Sequence, residues 1–296
     1  MAVSGHLGHL LRVIAAAALF STAGTAIKAT SLGSWQVAGL RAGFATAAVL
    51  VFLPEARRRF SIRAALVGIA YAATVILFVQ ANKLTTAASA IFIQSTSPLY
   101  ILLLGPRLLG ERARGGDIKF LAVIAAGVVL FFVGLDPPVA TAPDPLLGNL
   151  MAIASGFTCG LMMLGLRWLA REEHAGSASA VFLGNLFAFL VCLPSMWPLT
   201  HAALTDWLLV GYLGVFQIGL AYTFLTRALV HVSALEAALL LFVEPVFSPL
   251  WAFLVHAERP GTFSLLGCLV ILGATIARTI RETHRADVVQ VGESAP

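Results

Sequence analysis

An all-α integral membrane protein of ten transmembrane helices, folded as two inverted five-helix repeats, is predicted by three features of the sequence. Composition comes first. The 296 residues are 59% hydrophobic and 11% charged, with a mean hydropathy of +0.92, which is more apolar side chain than a soluble domain of this length can bury. The second feature is a series of ten apolar stretches, each close to the ~20 residues that cross about 30 Å of hydrocarbon as helix. The third is a duplicated motif. Ser97-Pro98-Leu99 leads to Gly110-Glu111, and Glu244-Pro245-Val246 leads to Ala257-Glu258, with the same interval from proline to glutamate. Upstream, Thr86-Ala87 falls opposite Ser233-Ala234 and Ala90 opposite Ala237, so whole segments correspond and an internal duplication is the simplest reading.

The ten spans are drawn over 10–29, 35–53, 62–80, 86–106, 118–135, 146–167, 177–194, 206–226, 234–255 and 262–280. The first exceeds a signal-peptide core and has only Arg12 on its N-terminal side, so it is read as a retained helix. The linkers are too short for a separate soluble domain. Two stretches are expected to be irregular surface: the proline-rich Asp136 to Pro145 and the polar tail from Glu282 to Pro296. The chain therefore divides into a first five-helix repeat over 1–140 and a second, with the tail, over 141–296.

Charge predicts the orientation. With the N-terminus cytoplasmic, fifteen cations fall on that side, including Arg57, Arg58, Arg59, Arg63, Arg107, Arg112 and Arg114, against Lys28, Lys83 and Arg259 on the other. That bias places both termini in the cytoplasm. The net +5 thereby reads as an orientation signal, not a nucleic-acid footprint, and the arginine run faces anionic lipid. Trp35, Trp168, Trp197 and Trp207 fall at span ends, where indoles favour the headgroup level, while Trp251 lies within a span.

Five spans per half is an odd number, so the second half enters the bilayer from the opposite side and the motif copies run antiparallel. Inverted repeats supply two near-equivalent packings about a midplane site, the usual basis of alternating access. A channel is the competing use of the same architecture. An enzyme is not expected, because the chain has no Ser/His/Asp grouping, no metal-ligand spacing and no phosphate-binding glycine loop. Cys159, Cys192 and Cys268 are widely spaced within apolar runs and read as packing residues. No cofactor is implied.

The candidate site follows from the polar and proline residues inside spans. Pro98 and Pro245 free the carbonyls of Gln94 and Leu241, so each marks a packed kink or a cavity wall. Glu244 would cost about 2.5–3.5 kcal/mol facing lipid on an insertion scale. It either holds a substrate ammonium, takes up a proton during the cycle, or ties its helix to a neighbour. Ser97 is its counterpart in the first half. Gln94, Tyr71, Tyr222, Phe20 and Phe157 lie at comparable depth, the tyrosines as cavity or core residues and the two phenylalanines as an aligned pair. Trp251, two turns after Glu244, stacks on a substrate or fills a helix interface. Arg41 bridges helices, snorkels outward, or meets a substrate carboxylate. Gly156 and Gly160 form a GxxxG that predicts close helix packing, and Glu111 and Glu258 are expected to shape equivalent turns.

Leu40-Arg41-Ala42-Gly43-Phe44, the Ser97-Pro98 helix closing on Gly110-Glu111-Arg112, Gly127, and the repeated Glu244-Pro245, Glu258 and Gly273 resemble the paired EamA-type motif of the drug/metabolite transporter superfamily. The overall run of the sequence is similar to its branch of bacterial inner-membrane exporters for aromatic and other neutral amino acids. The resemblance covers nearly the whole chain. It implies a central cavity lined by the first, third and fourth helices of each half, with the fifth and tenth peripheral. Asn185 is the nearest polar candidate for a second-half counterpart of Arg41.

One intramembrane cation is too few for sugar phosphates or nucleotides. The expected substrate is a small neutral or zwitterionic amphipath such as an amino acid, exported across the cell inner membrane; the alternative is a small cationic drug or metabolite. Membrane lipid is the expected surrounding partner, protons a candidate coupling ion, and the chain a monomer or weak dimer.

Overall fold

The computed structural model describes residues 2–57, 60–108, 115–135, 137–172, 176–199, 202–229, 240–241 and 243–293. Gly110, Glu111, Arg112, Ser233, Ala234, Ala237, Ala238, Arg58 and Arg59 lie outside them. The described residues are built of helices, and among them a single two-residue bridge, Val139 to Ala142, closes a turn in the proline-rich linker.

Helix α1 runs over Ala2–Ser21 and Ala23–Ala29, with the break at Thr22. There follow α2 (Ser34–Phe52), α3 (Ile62–Leu84), α4 (Ala87–Gln94 and Ser97–Leu108) and α5 (Gly115–Val133). The second half contains α6 (Pro145–Glu172), α7 (Gly176–Cys192), α8 (Leu204–Tyr212, Leu213–Leu220 and Ala221–Leu229), α9 (Val243–His256) and α10 (Thr262–Glu293). Seven of these are long and apolar enough to cross a membrane, and Ile118–Val133 and Thr262–Arg278 are shorter apolar helices. Together with α9, which covers the later part of the ninth, they fall in the ten predicted spans. Large apolar side chains stand exposed along the outside, Val51, Ile69, Leu103, Val191, Leu208 and Leu254 among them, as a lipid-facing surface requires.

Local chemistry starts and breaks these helices. Ser61 and Thr86 cap α3 and the first part of α4, accepting from the N–H of Ala64 and Ser89, each at 3.1 Å, and so satisfy donors the helix leaves open. Pro98 ends the first part of α4 at Gln94. Next to that break the hydroxyls of Ser95 and Thr96 donate to the carbonyls of Ile91 and Ile93, at 2.7 and 2.6 Å. Both hydroxyls at the kink are thus satisfied within the protein. Helix α8 widens into a π-helix over Leu213–Leu220, a geometry that recurs at functional sites.

Packing around the centre is close. Helix α3 runs along α6 and α7, α2 along α7 and α8, and α1 along α8 and α9. The predicted GxxxG is a contact between α6 and the broken α4: a Cβ on Gly156 would lie 3.2 Å from the carbonyl oxygen of Gln94, and one on Gly160 2.9 Å from the Cβ of Tyr100. Helices α5 and α10 pack on each other through Gly127 and Gly267, where a Cβ on Gly267 would lie 2.9 Å from the Gly127 carbonyl.

One expectation is corrected. The tail from Glu282 is not irregular, since α10 continues as helix to Glu293. No proline interrupts that stretch before Pro296, and its only glycine is Gly292, so helical propensity outweighs polarity.

Candidate functional site

A cavity of about 180 Å³ lies where the two halves meet, lined by α1, α2, α3, α4, α6, α8, Leu241 and the start of α9 at Glu244. Five residues singled out in the sequence come together on its wall: Phe20, Tyr71, Gln94, Tyr222 and Glu244. Their rings pack on one another. Phe20 meets Tyr222 edge-on with centroids 5.2 Å apart, and Tyr222 meets Tyr71 at 5.9 Å. Gln94 donates through Nε2 to the Ser155 hydroxyl at 2.7 Å, and Ser155 donates to the Thr74 carbonyl at 3.1 Å, which fixes the amide at the break in α4.

The other sequence candidates stand elsewhere. Ser97 and Pro98 are half-buried and Pro245 is buried, all in the helix segments beside the cavity and none on its wall. Phe157 does not pair with Phe20: it is 41% exposed and packs against Tyr100, centroids 5.4 Å apart. Gly156 faces the α4 backbone at Gln94, and Phe157, the next residue on α6, lies against the ring of Tyr100 on the second part of α4. Trp251 fills a helix interface, donating from Nε1 to the Ser21 hydroxyl at 3.0 Å. Asn185 is buried, with Nδ2 donating to the Val181 carbonyl of its own helix at 2.9 Å.

The cavity also contains residues that sequence reasoning treated differently or passed over. Arg41 lines it, 4% exposed, and donates from one terminal nitrogen to Gln217 Oε1 at 2.8 Å. It therefore bridges α2 to α8 and does not snorkel outward. Gln217 itself, Cys159, Met162, Met163, Thr74 and Phe78 complete much of the wall. Only the π-helix, which turns Gln217 toward α2, sets that glutamine apart from any other polar residue in an apolar run. Cys159 is a wall residue as well as a packing one.

Apart from the cavity wall, a cluster of buried polar contacts joins helix ends of the two halves. Lys28 Nζ lies 3.3 Å from Glu258 Oε1 and donates to the carbonyls of Thr85, at 2.7 Å, and Thr141. Glu258 Oε2 accepts from the Ala87 N–H at 3.1 Å. Lys83 donates to the Thr30 carbonyl at 2.7 Å, and Asp206 accepts from the Ser31 N–H and hydroxyl, both at 2.7 Å. Glu258 thus joins the two halves as well as closing its own turn. Ala257 makes this reach possible by adopting a left-handed φ of 52°, its N–H bonded to the Phe253 carbonyl at 2.9 Å in an αL helix cap. Among the described residues no group of three or more His, Cys, Asp or Glu could hold a metal ion.

A largely apolar cavity between duplicated halves of a helical membrane bundle is the site of a solute transporter. The chain belongs to the EamA-like transporter family, whose model matches twice, over residues 7–133 and 146–279. Its members are transporters, not enzymes. The chain is 28% identical over 192 residues to a pseudopaline exporter of Pseudomonas aeruginosa, spanning 64% of this chain and 65% of that protein, just under two thirds of its length. It is 25% identical to an aromatic amino acid exporter of Ancylobacter novellus, over 69% of this chain and 70% of that one. A solved structure with 21% identity shares the fold, with a TM-score of 0.61 over 92% of this chain and 96% of the other.

Proposed function

We propose that this protein is a secondary transporter that exports small neutral or zwitterionic metabolites, aromatic and other apolar amino acids foremost, across the bacterial inner membrane by alternating access. The observation that carries this reading is the composition of the cavity wall: Phe20, Tyr71, Phe78, Tyr222, Met162 and Met163 surround a single carboxylate, Glu244, and a single guanidinium, Arg41. Apolar walls with a few fixed polar groups suit a compact amphipath. A volume of about 180 Å³ lies below the ~300–1,000 Å³ of sites for drug-sized ligands, which favours a metabolite over a multidrug substrate. One cation is too few to balance a phosphate ester.

The charge bias supports a cytoplasmic location for both termini and for the arginine-rich end, which makes the Lys28–Glu258 cap the periplasmic closure. The halves, 1–140 and 141–296, then exchange roles as the site opens to each side. Export of aromatic amino acids and of pseudopaline is attributed to relatives at 25% and 28% identity, and this supports direction more than substrate. A small cationic substrate is the second reading, favoured by Glu244 on the wall.

Counterflow in proteoliposomes tests the proposal, using labelled amino acids with and without a pH gradient. Saturable exchange of aromatic or branched apolar amino acids supports it. Flux that neither saturates nor exchanges would mark a channel. A rise in thermal stability with quaternary ammonium compounds and none with amino acids would select the cationic reading.

A further inference from the structure

The guanidinium of Arg41 is held in place yet largely unused. Its backbone is pinned by the π-helix of α8, where Gly214 brings the chains so close that an added Cβ would lie 2.6 Å from the Arg41 carbonyl oxygen. Its side chain is pinned by the same π-helix, through the 2.8 Å bond to Gln217. Gln217 has no charge to neutralise the arginine, and it takes one of five N–H donors. Nε and the second terminal nitrogen are buried with no hydrogen-bond partner among the described residues. A buried unpaired donor is costly, and more so when charged, so an arrangement of this kind is retained where a ligand completes it.

The carboxylate nearest in function does not complete it. Glu244 lines the same cavity, yet the two make no ion pair within 4.0 Å, whereas Lys28 and Glu258 do at 3.3 Å. Both side chains thus line one cavity without a direct ion pair between them. The rings of Phe20, Tyr71 and Tyr222 line the same cavity.

We propose that Arg41, positioned by Gln217, is a carboxylate-binding subsite set against Glu244 as an ammonium-binding subsite, so that the cavity reads both charges of an α-amino acid. This rests on the transport reading above and assigns the substrate's orientation within it. The planar guanidinium keeps enough free donors for a two-pronged bond to a carboxylate, while the carboxylate of Glu244 accepts from the ammonium. An α-amino acid carries both charges that these two groups would receive. An amide, or an acid without its ammonium, leaves one buried charge unanswered, and buried polar groups left unpaired give the steepest discrimination a site achieves.

The test is binding of L-phenylalanine and L-leucine to purified protein, each compared with its amide and with its deaminated acid. Measurements run on the wild type and on the Arg41→Gln, Arg41→Lys and Glu244→Gln variants. In the wild type each amino acid should bind at least ten-fold tighter than either analogue. Arg41→Gln should abolish the preference for acid over amide while Arg41→Lys keeps part of it. Glu244→Gln should abolish the preference over the deaminated acid. A helix-bridging role alone changes stability and leaves these ratios intact. Equal binding of amino acid and amide by the wild type overturns the subsite and leaves amino-acid transport standing. Absence of binding together with absence of counterflow for every amino acid overturns both.

Discussion

The ammonium of Lys28 and the carboxylate of Glu258 meet at 3.3 Å with their side chains 2% and 3% exposed, across 230 residues of sequence. Lys28 ends the first helix of one half and Glu258 follows the fourth helix of the other. Because Glu258 also accepts from Ala87, one carboxylate ties α1, α4 and the turn after α9 into a single lid. A buried ion pair contributes little net stability, but removal of one partner strands the other and costs about 3–5 kcal/mol. The pair is therefore suited to hold one state of the bundle shut.

Glu258→Gln should loosen that lid. With Cys159, Cys192 and Cys268 replaced by alanine and Gln94→Cys as reporter, an impermeant maleimide added from the side of the Lys28–Glu258 pair should label the variant faster than the parent. Unchanged labelling and an unchanged melting temperature would show that the pair does not hold the closure.

Glu244→Gln should lower transport at least ten-fold while the protein accumulates normally in the membrane, because the amide keeps the size and loses the charge. Flux measured across pH 6 to 8, in the range where carboxylate-dependent coupling is commonly sought, checks both roles of the side chain. Wild-type flux throughout would remove ammonium binding and proton uptake together.

The two aligned phenylalanines should behave differently. Phe20→Ala removes a ring that packs at 5.2 Å on Tyr222 in the cavity wall, so the affinity for aromatic substrate should fall by about 0.5–1.5 kcal/mol, the value of one aromatic pair. Phe157→Ala, on the outer side of α6, should leave the affinity unchanged. Binding isotherms for labelled phenylalanine decide the matter.

Glycine substitutions separate close approach from open surface. Gly214→Val should destabilise the protein severely, by more than about 2 kcal/mol, since the added atoms run into the α2 backbone. Gly273→Ala meets no atom within 4 Å, and in a helix interior should stabilise by up to about 1 kcal/mol. Thermal unfolding in detergent measures both.

Most of the fold was legible in the residues because its cause is local. A 20-residue apolar run must be helical in a bilayer, since no water is present to satisfy its backbone, and both the ten runs and the break before Pro98 could be drawn from spacing alone. The repeat was legible because the interval from Pro98 to Glu111 recurs from Pro245 to Glu258. Part of the wall was legible too, because a charge, an amide or a tyrosine at mid-span has few tolerable places to face.

Tertiary structure alone decided which polar residues share a space. The sequence determined that Arg41, Gln217, Lys28 and Glu258 each carry a polar group within or beside an apolar run; it did not determine that Arg41 meets Gln217 or that Lys28 meets Glu258. Those pairings depend on helix rotation, and rotation follows from where small residues admit a neighbouring backbone: Gly156 at Gln94, and Gly214 at Arg41. The duplication suggested equivalent halves, and packing made them unequal by turning Phe20 inward and Phe157 outward. A side chain's depth is written in its position along the span, but its partner is chosen by contacts among helices distant in the chain.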